Sequence, residues 1–263
     1  MSPSKSLAFL PLIHPDNTMT GWLSKYLYSH RGLFDNSGAA PENSLAAFRA
    51  SVDKGYGMEL DVQAAGDGTP VVFHDFTLGR MTAARGPVAN LDHRALGKLP
   101  LLGGKETIPT FADTLDTVNG RTPLLIEIKV PPGGRIGPLE ARIAELLAHY
   151  NGPFAVQSFN PASVAWFVEN APAFTRGQIA QNFISRPEPG MAWRQRLAWG
   201  KLWSCGTSQP HFVSYNVRDL PSPPTRAVRR QRIPLLCWTV RTPQQAAIAR
   251  RHADSFIFEG FHA

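Results

Sequence analysis

Short runs rich in apolar, β-branched and aromatic residues recur along the chain, and each is followed by a stretch whose apolar residues fall three or four apart. The runs lie at 27–30, 58–62, 124–128, 154–157, 176–179, 212–215, 235–240 and 255–258. Such a pattern predicts strands alternating with helices. The helical stretches carry their own start signals. Asn43 is the predicted N-cap of a helix with Leu45, Phe48 and Val52 on one face and Gly55 as its stop. Thr110, with Asp113 three residues on, predicts a capping box ahead of Phe111, Leu115 and Val118. Asn160-Pro161 and Thr242-Pro243 each place a capping side chain before proline at the first helical position. Leu139, Ile143, Leu146 and Leu147 mark a further buried stripe. A short run at 71–74 follows Asp67-Gly68, a pair that favours hairpin turns, and is expected to be a strand extension outside the eight.

Strands alternating with helices predict a parallel sheet covered on both faces. Eight such units in about 235 residues fit an α/β (β/α)8 TIM barrel better than an open doubly wound sheet. Residues 25–263 are therefore expected to form the barrel. Residues 1–24 precede it as an N-terminal extension that closes the bottom, covers a partner or stays mobile. Residues 77–108 are too many for an ordinary βα connection and are expected to be a small insertion after the second strand, lying over one end.

The 263 residues are 43% hydrophobic and 18% charged, which excludes a disordered chain. No apolar run approaches the roughly 18 residues of a membrane span, and the stretch 7–13 lacks a secretory cleavage pattern, so the expectation is a soluble, cytoplasmic protein without membrane insertion. Lys and Arg exceed Asp and Glu by 27 to 20, a formal charge of +7 that favours anionic partners. The basic groups, such as Arg229-Arg230 and Arg250-Arg251, form no long block interleaved with aromatics, which argues against nucleic acid. Cys205 and Cys237 make neither a metal spacing nor a disulfide framework and are expected to be buried free thiols.

Catalytic residues of such a barrel collect at the carboxyl ends of its strands. The first strand ends in His30-Arg31-Gly32, the second carries Glu59-Leu60-Asp61, the extension ends in His74-Asp75 and the next barrel strand carries Glu127-Ile128-Lys129. Residues two apart on a strand share a face, so Glu59 with Asp61, and Glu127 with Lys129, point the same way. Three carboxylates converging there are costly to hold ionised without a cation, and a hard divalent ion, Mg²⁺ or Ca²⁺, resolves the repulsion. The plainer alternative is a strand salt bridge, such as Glu127 with Lys129. His30 and His74 stand at the same end, Arg31 offers a fork suited to phosphate, and Lys129 adds a positive charge. Acid, base, divalent ion and phosphate clamp together suggest phosphoester cleavage.

The whole pattern resembles the glycerophosphodiester phosphodiesterases. The pieces are His30-Arg31-Gly32, Pro41-Glu42-Asn43-Ser44, Glu59-Leu60-Asp61-Val62, Asp67-Gly68, Val71-Val72-Phe73-His74-Asp75, Leu78, Arg80-Met81-Thr82, Ile108-Pro109-Thr110 and Glu127-Ile128-Lys129. In the second half Gln157-Ser158-Phe159 and Trp238-Thr239-Val240 are similar to pocket positions. The resemblance implies hydrolysis of a small glycerophosphodiester to sn-glycerol 3-phosphate and an alcohol, by direct attack of water or through a cyclic phosphate. It implies His30 and His74 as the acid–base pair, Glu59, Asp61 and Glu127 as metal ligands, and Arg31 on the phosphate with Lys129 beside it. Glu42 either orients Arg31 or a histidine, or stands near a helix's positive end. Trp238 walls the substrate or packs the core. Two departures, Arg241 where the family usually has Asn and Phe258-Glu259 where its last strand commonly ends Thr-Asp, are expected to lie outside the catalytic set and to bear on leaving-group specificity.

Two other readings compete. A lysophospholipase D-like or phospholipase C-like enzyme acting on a longer-chain lipid would need an apolar groove, which Trp193, Trp199 and Trp203 could supply, although their spacing favours a packed helix. A catalytically silent phosphate-binding barrel predicts a broken residue set, and every residue of the set is present. The oligomeric state is not written in the sequence.

Overall fold

The computed structural model describes residues 17–188 and 190–263. Nine strands form one sheet: β1 Tyr28–Ser29, β2 Gly57–Ala64, β3 Pro70–Val72, β4 Leu124–Ile128, β5 Phe154–Ser158, β6 Thr175–Ala180, β7 Phe212–Asn216, β8 Leu235–Val240 and β9 Ser255–Phe258. All but β3 run parallel, and β1 pairs with both β2 and β9, which closes the ring into a (β/α)8 barrel. β3 folds back antiparallel on β2 across the Asp67-Gly68 turn, shorter than the expected run 71–74.

The helices are α1 Asn17–Thr20, α2 Leu45–Asp53, α3 His93–Leu96, α4 Phe111–Val118, α5 Pro138–Leu147, α6 Pro161–Asn170, α7 Trp193–Gly200, α8 Cys205–Ser208, α9 Pro223–Arg230 and α10 Pro243–His252. Three of the expected caps are in place: the Thr110–Asp113 capping box, Asn160 accepting from the Ala162 amide, and Thr242 accepting from the Gln245 amide. The cap of α2 is different. Ser44, not Asn43, accepts from the Ala47 amide, and Asn43 sits one residue earlier in a left-handed conformation.

Alternation along the strands separates two cores. Met58, Leu60, Val62, Leu124 and Ile126 face outward and pack under Phe48, Phe111, Ile143 and Phe167 of the helices. Tyr28, Leu125, Ala155, Phe212, Leu236 and Ile257 face inward and fill the amino-terminal half of the barrel together with Leu23. The axis is filled tightly. A Cβ on Gly177 would stand 2.2 Å from the Phe212 ring, so glycine on β6 makes room for an aromatic on β7. Burying Phe212 completely is worth about 1.5–3 kcal/mol. Part of the expected extension belongs to this floor: Leu23 is fully buried and accepts a hydrogen bond from the Tyr28 hydroxyl at 3.0 Å. The rest of it, residues 1–16, lies outside the described residues.

Between β3 and α4 the chain makes three 3₁₀ turns and α3 around a separate apolar cluster, with Phe73, Leu78, Met81, Val88, Leu96 and Leu101 buried. It is tied to the chain just past the carboxyl end of β2, with the Gly66 amide donating to the Leu91 carbonyl at 2.8 Å, and so sits on that side of the barrel. Of the three tryptophans expected to pack on one helix, only Trp199 does, edge-on to Phe183 at 6.1 Å. Trp193 and Trp203 are exposed: Trp193 opens α7 six residues before Trp199 and so lies on another face, and the left-handed Leu202 after the end of α7 breaks the spacing before Trp203. Cys205 and Cys237 are buried and unbridged, and burial pushes both thiols up to about 12. No helix among the described residues is long and apolar enough to cross a membrane.

Candidate active site

Above the apolar floor the inward face turns polar, with His30, Glu127, Gln157 and Ser214 each two residues beyond a floor residue. β1 ends abruptly. The His30 amide donates to the Phe258 carbonyl, after which Arg31 and Gly32 both take positive φ. Gly32 is obligatory here, since a Cβ would stand 2.9 Å from the Ala47 backbone. The tight turn lets α2 approach β2, and the Arg31 amide donates to Glu59 Oε2 at 3.1 Å.

Glu59, Asp61 and Glu127 come together as the alternation predicts, with one oxygen of each within 4.8 Å of the others. All three are buried. Burial, reinforced by the charges of Asp61 and Glu127, pushes the Glu59 carboxyl well above the usual range. Burial acts the same way on Asp61, but the positive charges of His74, Lys129 and Arg31 outweigh it and hold that carboxyl far down. Asp61 Oδ1 is buried without a hydrogen bond among the described residues, and Lys129 Nζ stands 3.5 Å away as an ion pair. A buried oxygen lacking a hydrogen bond inside an all-carboxylate donor set suits a hard divalent cation. The alternative salt bridge is also present: Lys129 Nζ lies 2.9 Å from Glu127 Oε1. Burial lowers the Lys129 ammonium, yet Glu127 and Asp61 raise it further, so it stays charged.

Each histidine is tied through Nδ1 to a carboxylate, and each carboxylate to an arginine. His74 Nδ1 meets Asp75 Oδ1 at 2.6 Å, and Arg80 Nε donates to Asp75 Oδ2 at 2.6 Å. His30 Nδ1 bonds Glu259 Oε2, and Arg241 Nε donates to Glu259 Oε1. Of the two departures expected to lie outside the proposed catalytic set, Glu259 bonds His30 directly and Arg241 bonds Glu259, because closure of β9 on β1 brings position 259 beside position 30. Burial raises the Glu259 carboxyl, but the bond and charge of His30 with the Arg241 charge outweigh it and hold the group at about 2. The loop carrying His74 is pinned from below. Gln63 Nε2 donates to the Phe73 carbonyl at 2.6 Å and the Asp75 carbonyl at 2.8 Å, on either side of His74.

Glu42 orients arginines. Its Oε1 accepts from Arg31 Nη1 and Arg80 Nη2, both at 2.6 Å, and its Oε2 from Arg80 Nη1 and Asn36. Burial raises the Glu42 carboxyl, but Arg80 and Arg31 outweigh it and keep it at about 2. Arg31 Nε in turn lies 3.4 Å from Asp61 Oδ2. Trp238, half-buried on β8, packs edge-on to Phe159 at 5.3 Å and donates to the Ser214 carbonyl. Glu259, Arg241, Gln63, Arg80 and Asn43 were not read from the sequence as parts of the site. For Glu259, Arg241 and Gln63 the signal was only a charged or amide residue on or just past a strand, too common to single them out, while Asn43 and Arg80 stood inside the matching motif pieces without a role at the site.

Residues 30–258 match the model of the glycerophosphoryl diester phosphodiesterase family. The chain belongs to that family. Membership makes it a phosphodiesterase of the glycerophosphodiester class. It is 32% identical over 256 residues to the Bacillus subtilis protein YhdW, covering 90% of this chain and 98% of the other. It is 31% identical over 169 residues to the glycerophosphodiester phosphodiesterase of Caldanaerobacter subterraneus, covering 60% and 68%. A solved phosphodiesterase of Oleispira antarctica, in complex with the product sn-glycerol-3-phosphate, shares the fold at a TM-score of 0.72 and 23% identity, over 89% of this chain and 92% of that one.

Proposed function

We propose that this phosphodiesterase hydrolyses small glycerophosphodiesters to sn-glycerol 3-phosphate and an alcohol, in a reaction dependent on Mg²⁺ or Ca²⁺. The observation that carries the reading is the buried Glu59–Asp61–Glu127 cluster beside two imidazoles, both fixed through Nδ1. A divalent ion held by the three carboxylates would supply positive charge where the phosphoryl oxygens become more negative. Arg31, pinned by Glu42, binds a phosphate oxygen as a fork, and Lys129 adds its charge beside it. With Nδ1 occupied, each histidine works through Nε2. One takes the proton from the attacking hydroxyl and the other protonates the leaving alkoxide. Trp238 walls the apolar side of the substrate. The solved relative named with bound sn-glycerol-3-phosphate supports the choice of product.

The test is release of glycerol 3-phosphate from glycerophosphocholine and glycerophosphoethanolamine with Mg²⁺, with Ca²⁺ and with excess EDTA. Release that EDTA abolishes, and that falls about 10²–10⁴-fold in His30→Ala and in His74→Ala, is the expected result. Absence of release from folded protein under every condition overturns the substrate reading.

A further inference from the structure

His30 and Glu259 lie 229 positions apart and meet where the barrel closes. The imidazole has two nitrogens with separate tasks. Nδ1 bonds Glu259 Oε2, and Nε2 faces the carboxylate cluster, 3.9 Å from Glu59 Oε2. An ionised carboxylate only accepts hydrogen bonds, so the bond to Glu259 requires the proton on Nδ1 and leaves the Nε2 lone pair toward the pocket. Glu259 is itself held from the far side by Arg241, which stands at the rim on the segment after β8. The Arg241 backbone is fixed too, its amide donating to Gln245 Oε1 at 2.7 Å in the first turn of α10.

We propose that Glu259 is a positioning residue that sets the tautomer and ring orientation of His30, and that Arg241 and Glu259 act as one unit. This role rests on the acid–base reading of His30 given above. Glutamate reaches the ring from the end of β9 across one more methylene than aspartate, and a longer side chain has more rotamers to lose. Arg241 removes that freedom by occupying the second oxygen. The two departures from the family pattern thereby become one compensated change. His74 carries the same arrangement on the opposite side, with Asp75 and Arg80 in the corresponding places.

The tautomer is read directly in the full-length, metal-free, ¹⁵N-labelled protein by long-range ¹H–¹⁵N imidazole correlation, with His30 assigned by its loss in His30→Ala. The wild type is expected to hold the proton on Nδ1, and Glu259→Ala to give a mixture of tautomers. With glycerophosphocholine, Glu259→Ala is expected to lower kcat about 10–10²-fold at nearly constant KM. Glu259→Gln, whose amide oxygen still accepts from Nδ1, is expected to recover part of that loss. Arg241→Ala changes an exposed side chain and is expected to lower kcat by less than Glu259→Ala does. The double variant is expected to be no worse than Glu259→Ala alone, as for residues acting in series. An unmoved tautomer in Glu259→Ala, an unchanged kcat, or additive losses in the double variant would each overturn the proposal. Because the spectrum needs neither metal nor substrate, a wild type that releases no glycerol 3-phosphate counts against the proposed reaction, whereas the spectrum decides the part played by Glu259.

Discussion

Asn43 and Asp61 are bonded to each other twice: Asn43 Nδ2 donates to Asp61 Oδ2 at 2.9 Å, and the Asp61 amide donates to Asn43 Oδ1 at 3.4 Å. The asparagine reaches β2 because it holds a positive φ at the entrance to α2, a conformation that asparagine tolerates better than most residues. It thus fixes the orientation of one member of the carboxylate cluster. Asn43→Ala should weaken divalent-ion affinity about 10–100-fold and cost roughly 1–2 kcal/mol in backbone strain as well. Asn43→Gly relieves the strain without restoring the bonds. Ion titration and thermal melts of both variants separate the two effects, and equal ion affinity in all three proteins would remove Asn43 from this role.

The cluster of Glu59, Asp61 and Glu127 should oppose folding when no cation balances it. Divalent ion is therefore expected to raise Tm relative to EDTA. Glu59→Gln removes one of the repelling groups, so it should raise the metal-free Tm and shrink the gain from added ion. About 1 kcal/mol corresponds to roughly 2–4 °C for a chain near this size. Calorimetry with EDTA, Mg²⁺ and Ca²⁺ checks both signs.

Gln63 holds the backbone on both sides of His74 from inside β2. Gln63→Leu leaves the Phe73 and Asp75 carbonyls without these bonds and frees the loop. It should cost about 1–3 kcal/mol and depress kcat more than KM. Chemical denaturation with steady-state kinetics measures the two, and a stability loss with unaltered kcat would make Gln63 a structural residue alone.

His211 gives the fold a pH dependence remote from the active site. Its Nδ1 accepts from the Arg176 amide, and burial, helped by the Arg176 charge, lowers the imidazole from 6.5 to about 4. The folded state therefore binds fewer protons than the unfolded chain between those values, and stability falls as pH drops through that window. The contribution of His211 to the loss from about pH 7.5 to pH 5 should be at most about 2 kcal/mol. His211→Asn keeps an acceptor near Nδ1 and cannot titrate. Denaturation midpoints at the two pH values should show a flatter dependence in the variant.

The parts of the site that were legible in the sequence are those that obey a short period. Glu59 and Asp61 share a face because a strand repeats every second residue, and the helices at Thr110, Asn160 and Thr242 begin where their caps predict. Asn43 was misplaced by one position because Asn and Ser are equally good caps. What separates them is a bond to β2, which no local preference contains. The pairing of Glu259 with His30 depends on ring closure between the first and last strands and is invisible to any window of the sequence. Glu42 lay open between two roles until the positions of Arg31 and Arg80 decided for the arginines.

Phe212, set against Gly177 on the barrel axis and clustered with Leu23, fills the amino-terminal half of the barrel. Among the described residues the carboxylate cluster is therefore approached from the carboxyl ends of the strands, and the rim side chains there form a threshold that whatever reaches the cluster must cross.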